Sequence, residues 1–220
     1  MFKASQGSRE KLNYKKKSMD KILIASNNNY KREQFKYLFG GSDLEVETLA
    51  DYPYDGDPVE DKETPEGNAE LKVDFWSKKI EGVPILGDDS GLEIDALGGE
   101  PGIKARRWAG NFPDDVSDEK WLNYLMKRME GVPKEKRTAR FKAAWVVLFP
   151  DGEKIVKTFD IPFIILEEPR DDYPEGSPIS AVRYNPEHEK MEMDLTKKEQ
   201  WSKLKAELNN WDEFWEKISK

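Results

Sequence analysis

The chain contains no cysteine. Disulfides, thiolate zinc sites, iron–sulfur clusters and cysteine nucleophiles are therefore excluded. It has a single histidine, His188, set between Glu187 and Glu189, so histidine-based triads and multi-histidine metal centres are set aside as well. Long apolar runs are also missing. The longest, Ala143–Phe149, falls far short of the roughly 20 residues a helix needs to cross a bilayer. No Gly-Lys dipeptide occurs, which removes the P-loop. Neither Gly-x-Gly nor Gly-x-Ser-x-Gly is present, which removes the dinucleotide fingerprint and the nucleophile elbow.

What the sequence has in quantity is charge. Among 220 residues, 44 Asp and Glu stand against 36 Lys and Arg, for a formal net charge of −8. An acidic chain is poorly suited to binding nucleic-acid polymers nonspecifically. The 7 Trp, 8 Tyr and 10 Phe supply too much apolar surface for a disordered polyelectrolyte. The expectation is a soluble, cytoplasmic α/β protein without membrane or nucleic-acid partners, whose chemistry rests on carboxylates, lysines, hydroxyls and a metal. Residues 1–18 differ from the rest: six basic side chains against Glu10 give +5 and leave −13 on residues 19–220. They are expected to be a basic, disordered N-terminal extension, and residues 19–220 a single domain.

The patterning alternates. A buried strand at Ile22–Ala25 leads through Ser26-Asn27-Asn28-Asn29 into a helix over Lys31–Phe39, and a strand follows at Leu44–Thr48. After a Pro- and acid-rich loop, a helix is expected from Glu66 to Ile80. A short strand Ile85–Gly87 then ends at Asp88-Asp89-Ser90-Gly91. Ser117 caps a helix bearing Trp121, Leu125 and Met129. Thr138–Phe149 and Lys154–Ile161 read as long strands around Pro150-Asp151-Gly152, with another strand at Phe163–Leu166. A capping box at Thr196 and Glu199 opens one C-terminal helix, whose seam Trp201, Leu204, Leu208, Trp211, Trp215 and Ile218 packs on its own sheet. The fold class is α/β: an elongated mixed β-sheet flanked by helices, with two lobes around a central cleft.

Three stretches carry candidate chemistry. Ser26–Lys31 is a strand end entering a helix, where free backbone N–H groups and a lysine suit phosphate, although such turns also simply cap helices. The acidic loop Asp55, Asp57, Glu60, Asp61, Glu63 precedes Asn68 and Lys72, which share a helix face. Acids beside a lysine suit a magnesium–triphosphate site, or else form a solvated loop. Asp88-Asp89 after a buried run is costly unless the carboxylates are paired or bind metal. In a regular strand the two would face opposite ways.

Four stretches in order, ILIASNNNYK at 22–31, GNAELK at 67–72, GDDSGLEIDALGGEPGIKARRWAG at 87–110 and KRTARFKAAWVVLF at 136–149, are together specific. The chain resembles the Ham1/inosine triphosphate pyrophosphatase family. The resemblance implies a homodimeric, Mg²⁺-dependent enzyme that converts nucleoside triphosphates of non-standard purines, such as ITP and XTP, to monophosphate and pyrophosphate. By position it implies Ser26, Asn28, Lys31, Lys72, Ser90 and Arg107 as substrate contacts. Asp89 takes the place of the proton acceptor, and Glu60, Asp88 and Asp89 that of the metal carboxylates. Arg140 matches a further arginine near the cleft.

The chain departs from the family in its C-terminal half. GSPISAVRYNP at 176–186 lacks the family's aromatic–aspartate pair, Gln200 stands at a lysine position, and Leu204-Lys205-Ala206 replaces Ser-His-Arg. Gly67 replaces a glutamate. Base preference is therefore expected to be altered or relaxed, with Arg183, Tyr184 or Tyr173 as replacement contacts. The alternatives are a nucleotide-binding protein that has lost turnover, and a pyrophosphatase for a pyrimidine or another modified nucleotide.

Overall fold

The computed structural model describes residues 19–52, 56–113 and 115–219. The basic segment 1–18 and Asp55 of the acidic loop lie outside the described residues. In chain order, β1 spans Lys21–Ile24, α1 Asn29–Phe39 and β2 Glu45–Thr48. Then come α2 (Pro65–Ser77), β3 (Ile85–Ile94), β4 (Pro101–Gly102) and α3 (Asp118–Arg128). Two long strands, β5 (Thr138–Leu148) and β6 (Lys154–Ile165), precede β7 (Arg183–Asn185) and β8 (Lys190–Met191). Helices α4 (Lys197–Gln200), α5 (Ser202–Asn209) and α6 (Asp212–Ile218) follow.

The strands form one mixed sheet in the order β2-β1-β3-β5-β6-β7-β8, with β4 paired to the far end of β3. β1 lies parallel to β2 and β3, since α1 and α2 carry the chain back between them. From β3 to β8 each neighbouring pair is antiparallel. Alternation sends successive side chains to opposite faces. Leu23, Ile85 and Val146 pack against Ala69, Val73 and Trp76 of α2. On the other face, Ile24, Leu86 and Trp145 meet Phe35 and Leu38 of α1 and Leu208 and Phe214 of the C-terminal helices. Farther along the same strands, Leu92, Ala139 and Phe163 enter a separate core with Trp121 and Leu125 of α3. Two lobes thus share β3, β5 and β6, and a cleft opens between them.

The structure corrects three expectations. β3 does not stop at Gly87. It runs ten residues because β5 offers an unbroken partner, with Asp88, Asp89 and Ser90 opposite Trp145, Ala144 and Ala143. β6 is one strand where two were expected. Pro162 sits opposite Arg140 in its ladder, and β7 pairs only with Ile164 and Ile165, so the proline falls where the other side of β6 carries no described strand. The single C-terminal helix is three. Its capping box is formed, Thr196 N donating to Glu199 and Glu199 N to Thr196 Oγ1, but the helix breaks at Trp201 and again at Asn210–Trp211. The breaks leave Trp201 and Trp211 buried in the core, so the apolar seam does pack on its own sheet.

Candidate active site

The uninterrupted ladder of β3 fixes Asp88 and Asp89 on opposite faces. Asp89 turns toward α2. Asn68 Nδ2 donates to its Oδ2 at 3.0 Å, and Lys72 Nζ lies 3.4 Å from its Oδ1 while donating to the Asp88 carbonyl at 2.9 Å. Asn68 and Lys72 are one turn apart on a helix started by Thr64, whose hydroxyl accepts from Gly67 N, and by Pro65 at its first position. α2 lies directly on the strand at Gly87, where an added Cβ would stand 2.3 Å from the Ala69 carbonyl oxygen. The acidic loop is tied to the same helix, because Asn68 Oδ1 accepts from Lys62 N at 3.0 Å. Glu60 then reaches Lys72 Nζ at 3.1 Å. One ammonium therefore serves two carboxylates, Glu60 and Asp89.

Asp88 turns the other way and forms an ion pair with Lys31 of α1. Of the two readings left open for the turn before Lys31, the structure shows the helix cap. Asn28 Oδ1 accepts from the N–H groups of Tyr30 and Lys31, and Ser26 Oγ accepts from Asn28 N. Asn28 is thus the N-cap and Ser26 its buttress, and the positive charge this turn presents is the Lys31 ammonium. Burial pushes the Asp89 carboxyl above its usual range, aided by Glu60 and opposed by Lys72, Lys31 and Asn68. Burial also works against the charge on Lys31, but Asp88 first, then Asp89 and Glu60, more than offset it and raise its pKa. Lys31, Lys72, Glu60, Asp88 and Asp89 are thus one electrostatic unit.

Two cavities flank this unit. The larger, about 600 Å³, lies between the lobes and is lined by Asn28, Lys31, Asp88 and Ser90 on one side and by Arg183 and Glu192 on the other. Its volume suits a nucleotide-sized ligand. The smaller, about 200 Å³, is lined by Glu60, Asn68 and Arg107. Lys72 and Asp89 join the two through Glu60, Asn68 and the Asp88 carbonyl. Among the described residues no group of three or more His, Asp or Glu could hold a metal ion. Glu60 and Asp89 share one cation, whereas Asp88 faces Lys31. Arg140 is bound to Glu93 and Asp95 along the sheet, at 3.2 and 2.7 Å.

Of the three replacement contacts considered for the base, Arg183 lines the large cavity. Tyr173 packs into the α3 core, and Tyr184 sits in β7 opposite Met191. The Arg183 guanidinium lies over the rings of Phe141 and Phe163 at 5.1 and 5.2 Å, and 3.5 Å from Glu192 Oε1. Its burial pulls its pKa down against the pull of Glu192 and Tyr30. Sequence reasoning missed Glu192. It lies in a charged stretch from Glu187 to Asp194, and the only signal was its flanking by Met191, Met193 and Leu195.

Known proteins resemble this chain in sequence and in fold. Residues 22–206 match the model of the Ham1 family. A dITP/XTP pyrophosphatase of Geobacillus kaustophilus is 37% identical over 202 residues, covering 91% of this chain and 96% of the relative. The structure of the Staphylococcus aureus Ham1 protein superposes with a TM-score of 0.67 at 31% identity, over 86% of this chain and 98% of that one. A nucleoside-triphosphatase / dITP/XTP pyrophosphatase from Mycobacterium abscessus gives 0.64 at 28% identity, over 86% and 97%. With the match running through both lobes and every stretch that builds the charge cluster, the chain belongs to the Ham1 family.

Proposed function

We propose that this chain is a magnesium-dependent nucleoside triphosphate pyrophosphatase acting on non-standard purine nucleotides of the dITP and XTP kind, the activity named for its relatives. The observation that carries this reading is the buried Asp89 carboxylate held between Asn68 and Lys72, with Glu60 on the same ammonium. Those groups fit magnesium by their chemistry. They are hard oxygen donors that already share a cation, and magnesium is usually held by one or two carboxylates completed by substrate phosphates. Glu60 and Asp89 would hold it, and it would supply charge neutralisation to the triphosphate oxygens.

The chain's own residues do the rest. Lys31 and Lys72 neutralise the phosphate chain, Asn28 and Ser90 contact the substrate from the cleft wall, Ser26 holds the turn, and Arg107 approaches from the smaller cavity. Asp88 keeps Lys31 charged and in place. Asp89 takes a proton from the attacking water as a new oxygen–phosphorus bond forms at the α-phosphate. The bond to the bridging oxygen breaks and pyrophosphate leaves, yielding the nucleoside monophosphate. A carboxyl raised by burial is better suited to accept that proton than one at its ordinary value. The two lobes share β3, β5 and β6, which supports reading residues 19–220 as one catalytic unit. Family membership supports a homodimer and a cytoplasmic place, where nucleoside triphosphates are held.

Turnover is expected to vanish in excess chelator and to return on adding magnesium. Undiminished turnover in chelator would remove the metal from the account. Lys31→Ala and Lys72→Ala are each expected to weaken binding of a slowly hydrolysed triphosphate analogue by about tenfold or more, with a smaller effect on monophosphate, since charge-assisted contacts scale with phosphate charge. Calorimetric titration with both ligands measures the difference. Equal losses would place these lysines away from the β- and γ-phosphates.

A further inference from the structure

Asn68 lies near the start of α2 and is only 4% exposed. Its amide is engaged at both ends. Nδ2 donates to Asp89 Oδ2 at 3.0 Å, and Oδ1 accepts from Lys62 N at 3.0 Å. These partners fix the direction of the amide, since turning it over would set N–H against N–H and oxygen against carboxylate. Aspartate, of the same size, lacks the donor, and leucine lacks both functions. The helix itself does not require the amide. Asn68 joins α2 through its backbone N–H to the Thr64 carbonyl, a bond any non-proline residue makes.

The two hydrogen bonds span the pair of carboxylates assigned to the metal. One ends on Asp89, and the other ends on the backbone of the loop two residues after Glu60. Glu60 and Asp89 are also joined ionically, with Lys72 Nζ at 3.1 Å from Glu60 Oε1 and 3.4 Å from Asp89 Oδ1. A divalent cation taken up by the two carboxylates competes with that ammonium for their oxygens. Asn68 is neutral and sits on the other Asp89 oxygen, so it does not compete, and its bonds outlast the exchange of one cation for another. We propose that Asn68 is a positioning residue, which holds Asp89 with Oδ1 turned to the shared cation and docks the loop so that Glu60 stands beside it. The inference rests on the pyrophosphatase reading for the identity of the metal carboxylates. Partners one bond removed from an ion orient its ligands, and losing one typically lowers metal affinity or activity by about 10–100-fold.

The test measures binding of Mn²⁺, a paramagnetic stand-in for magnesium, by electron paramagnetic resonance in the wild type, Asn68→Ala and Lys62→Pro. Binding of IMP without metal is measured beside it by calorimetry. Asn68→Ala removes both bonds and is expected to weaken Mn²⁺ by about tenfold or more. IMP affinity is expected to stay unchanged, because Asp88 and Ser90 of the cleft wall lie on the opposite face of β3 from Asp89. Lys62→Pro deletes the loop's N–H while leaving Asn68 joined to Asp89, and is expected to weaken Mn²⁺ by a smaller factor. Position 62 lies outside every described helix and strand, so this variant carries the test if Asn68→Ala does not fold. Wild-type Mn²⁺ affinity in folded Asn68→Ala or in Lys62→Pro overturns the positioning role and leaves the pyrophosphatase standing. Parallel losses of Mn²⁺ and IMP affinity overturn it too, since they would make Asn68 a residue of the fold alone. Metal binding is read without turnover, so the expected split supports the role even if no triphosphate is hydrolysed. A wild type that binds no Mn²⁺ would remove the metal from the pyrophosphatase reading and the positioning role with it.

Discussion

Asp89→Asn is expected to lower turnover by about 100-fold or more while leaving the fold intact. General-base catalysis by a positioned side chain is typically worth roughly 10²–10⁴-fold, and an amide neither accepts the water's proton nor carries the negative charge a bound cation needs. The substitution preserves volume at a residue that is only 9% exposed. Its oxygen can still accept from Asn68 or Lys72, which now hold the carboxylate at 3.0 and 3.4 Å. Stability should therefore change little, and kcat measured beside a thermal melt separates the two effects. Turnover within a few-fold of wild type would move the proton acceptor elsewhere, with Glu60 and Asp88 the nearest candidates.

Gly87→Ala is expected to damage the fold and, through it, the site. A Cβ at this position would stand 2.3 Å from the Ala69 carbonyl oxygen and 3.0 Å from Val73 Cγ1. The first of these is helix backbone, so no rotamer change relieves the contact. α2 must lift from β3, and with it Asn68 and Lys72 leave Asp89. Overpacking of a tight interior site commonly costs about 1–3 kcal/mol, and the backbone clash puts this case at the upper end. For a chain of this size that corresponds to a fall in Tm of roughly 6–12 °C. A melt within about 2 °C of wild type would show that the helix and strand are not packed as described.

Much of this was legible in the sequence because it rests on local chemistry. Ser117 starts α3, and Thr196 with Glu199 starts α4, each by side chains close in sequence. The sheet-forming runs around Pro150-Asp151-Gly152 needed only alternation and a turn. What was not legible depended on partners distant in the chain. Asp88-Asp89-Ser90-Gly91 looks like a turn until β5 lies beside it and extends the strand to Ile94. Pro162 looks like a strand end unless one knows that β7 begins pairing only at Ile164. Whether the amides before Lys31 were free or capped stayed open, because the capping by Asn28 and Ser26 is a choice of side-chain direction that sequence alone does not fix. Glu192 was hidden altogether. Only the return of β7 beside it turns part of a charged stretch into a buried partner for Arg183.

The central claim is that a single hydrolysis at the α-phosphate releases pyrophosphate. It is tested most directly by product identity. The purified chain is incubated with ITP and magnesium in heavy-oxygen water, and the products are resolved by phosphorus NMR and mass spectrometry. The account predicts IMP carrying the heavy oxygen together with unlabelled pyrophosphate, without IDP at any time. Release of IDP and orthophosphate, or heavy oxygen in the pyrophosphate, would contradict it.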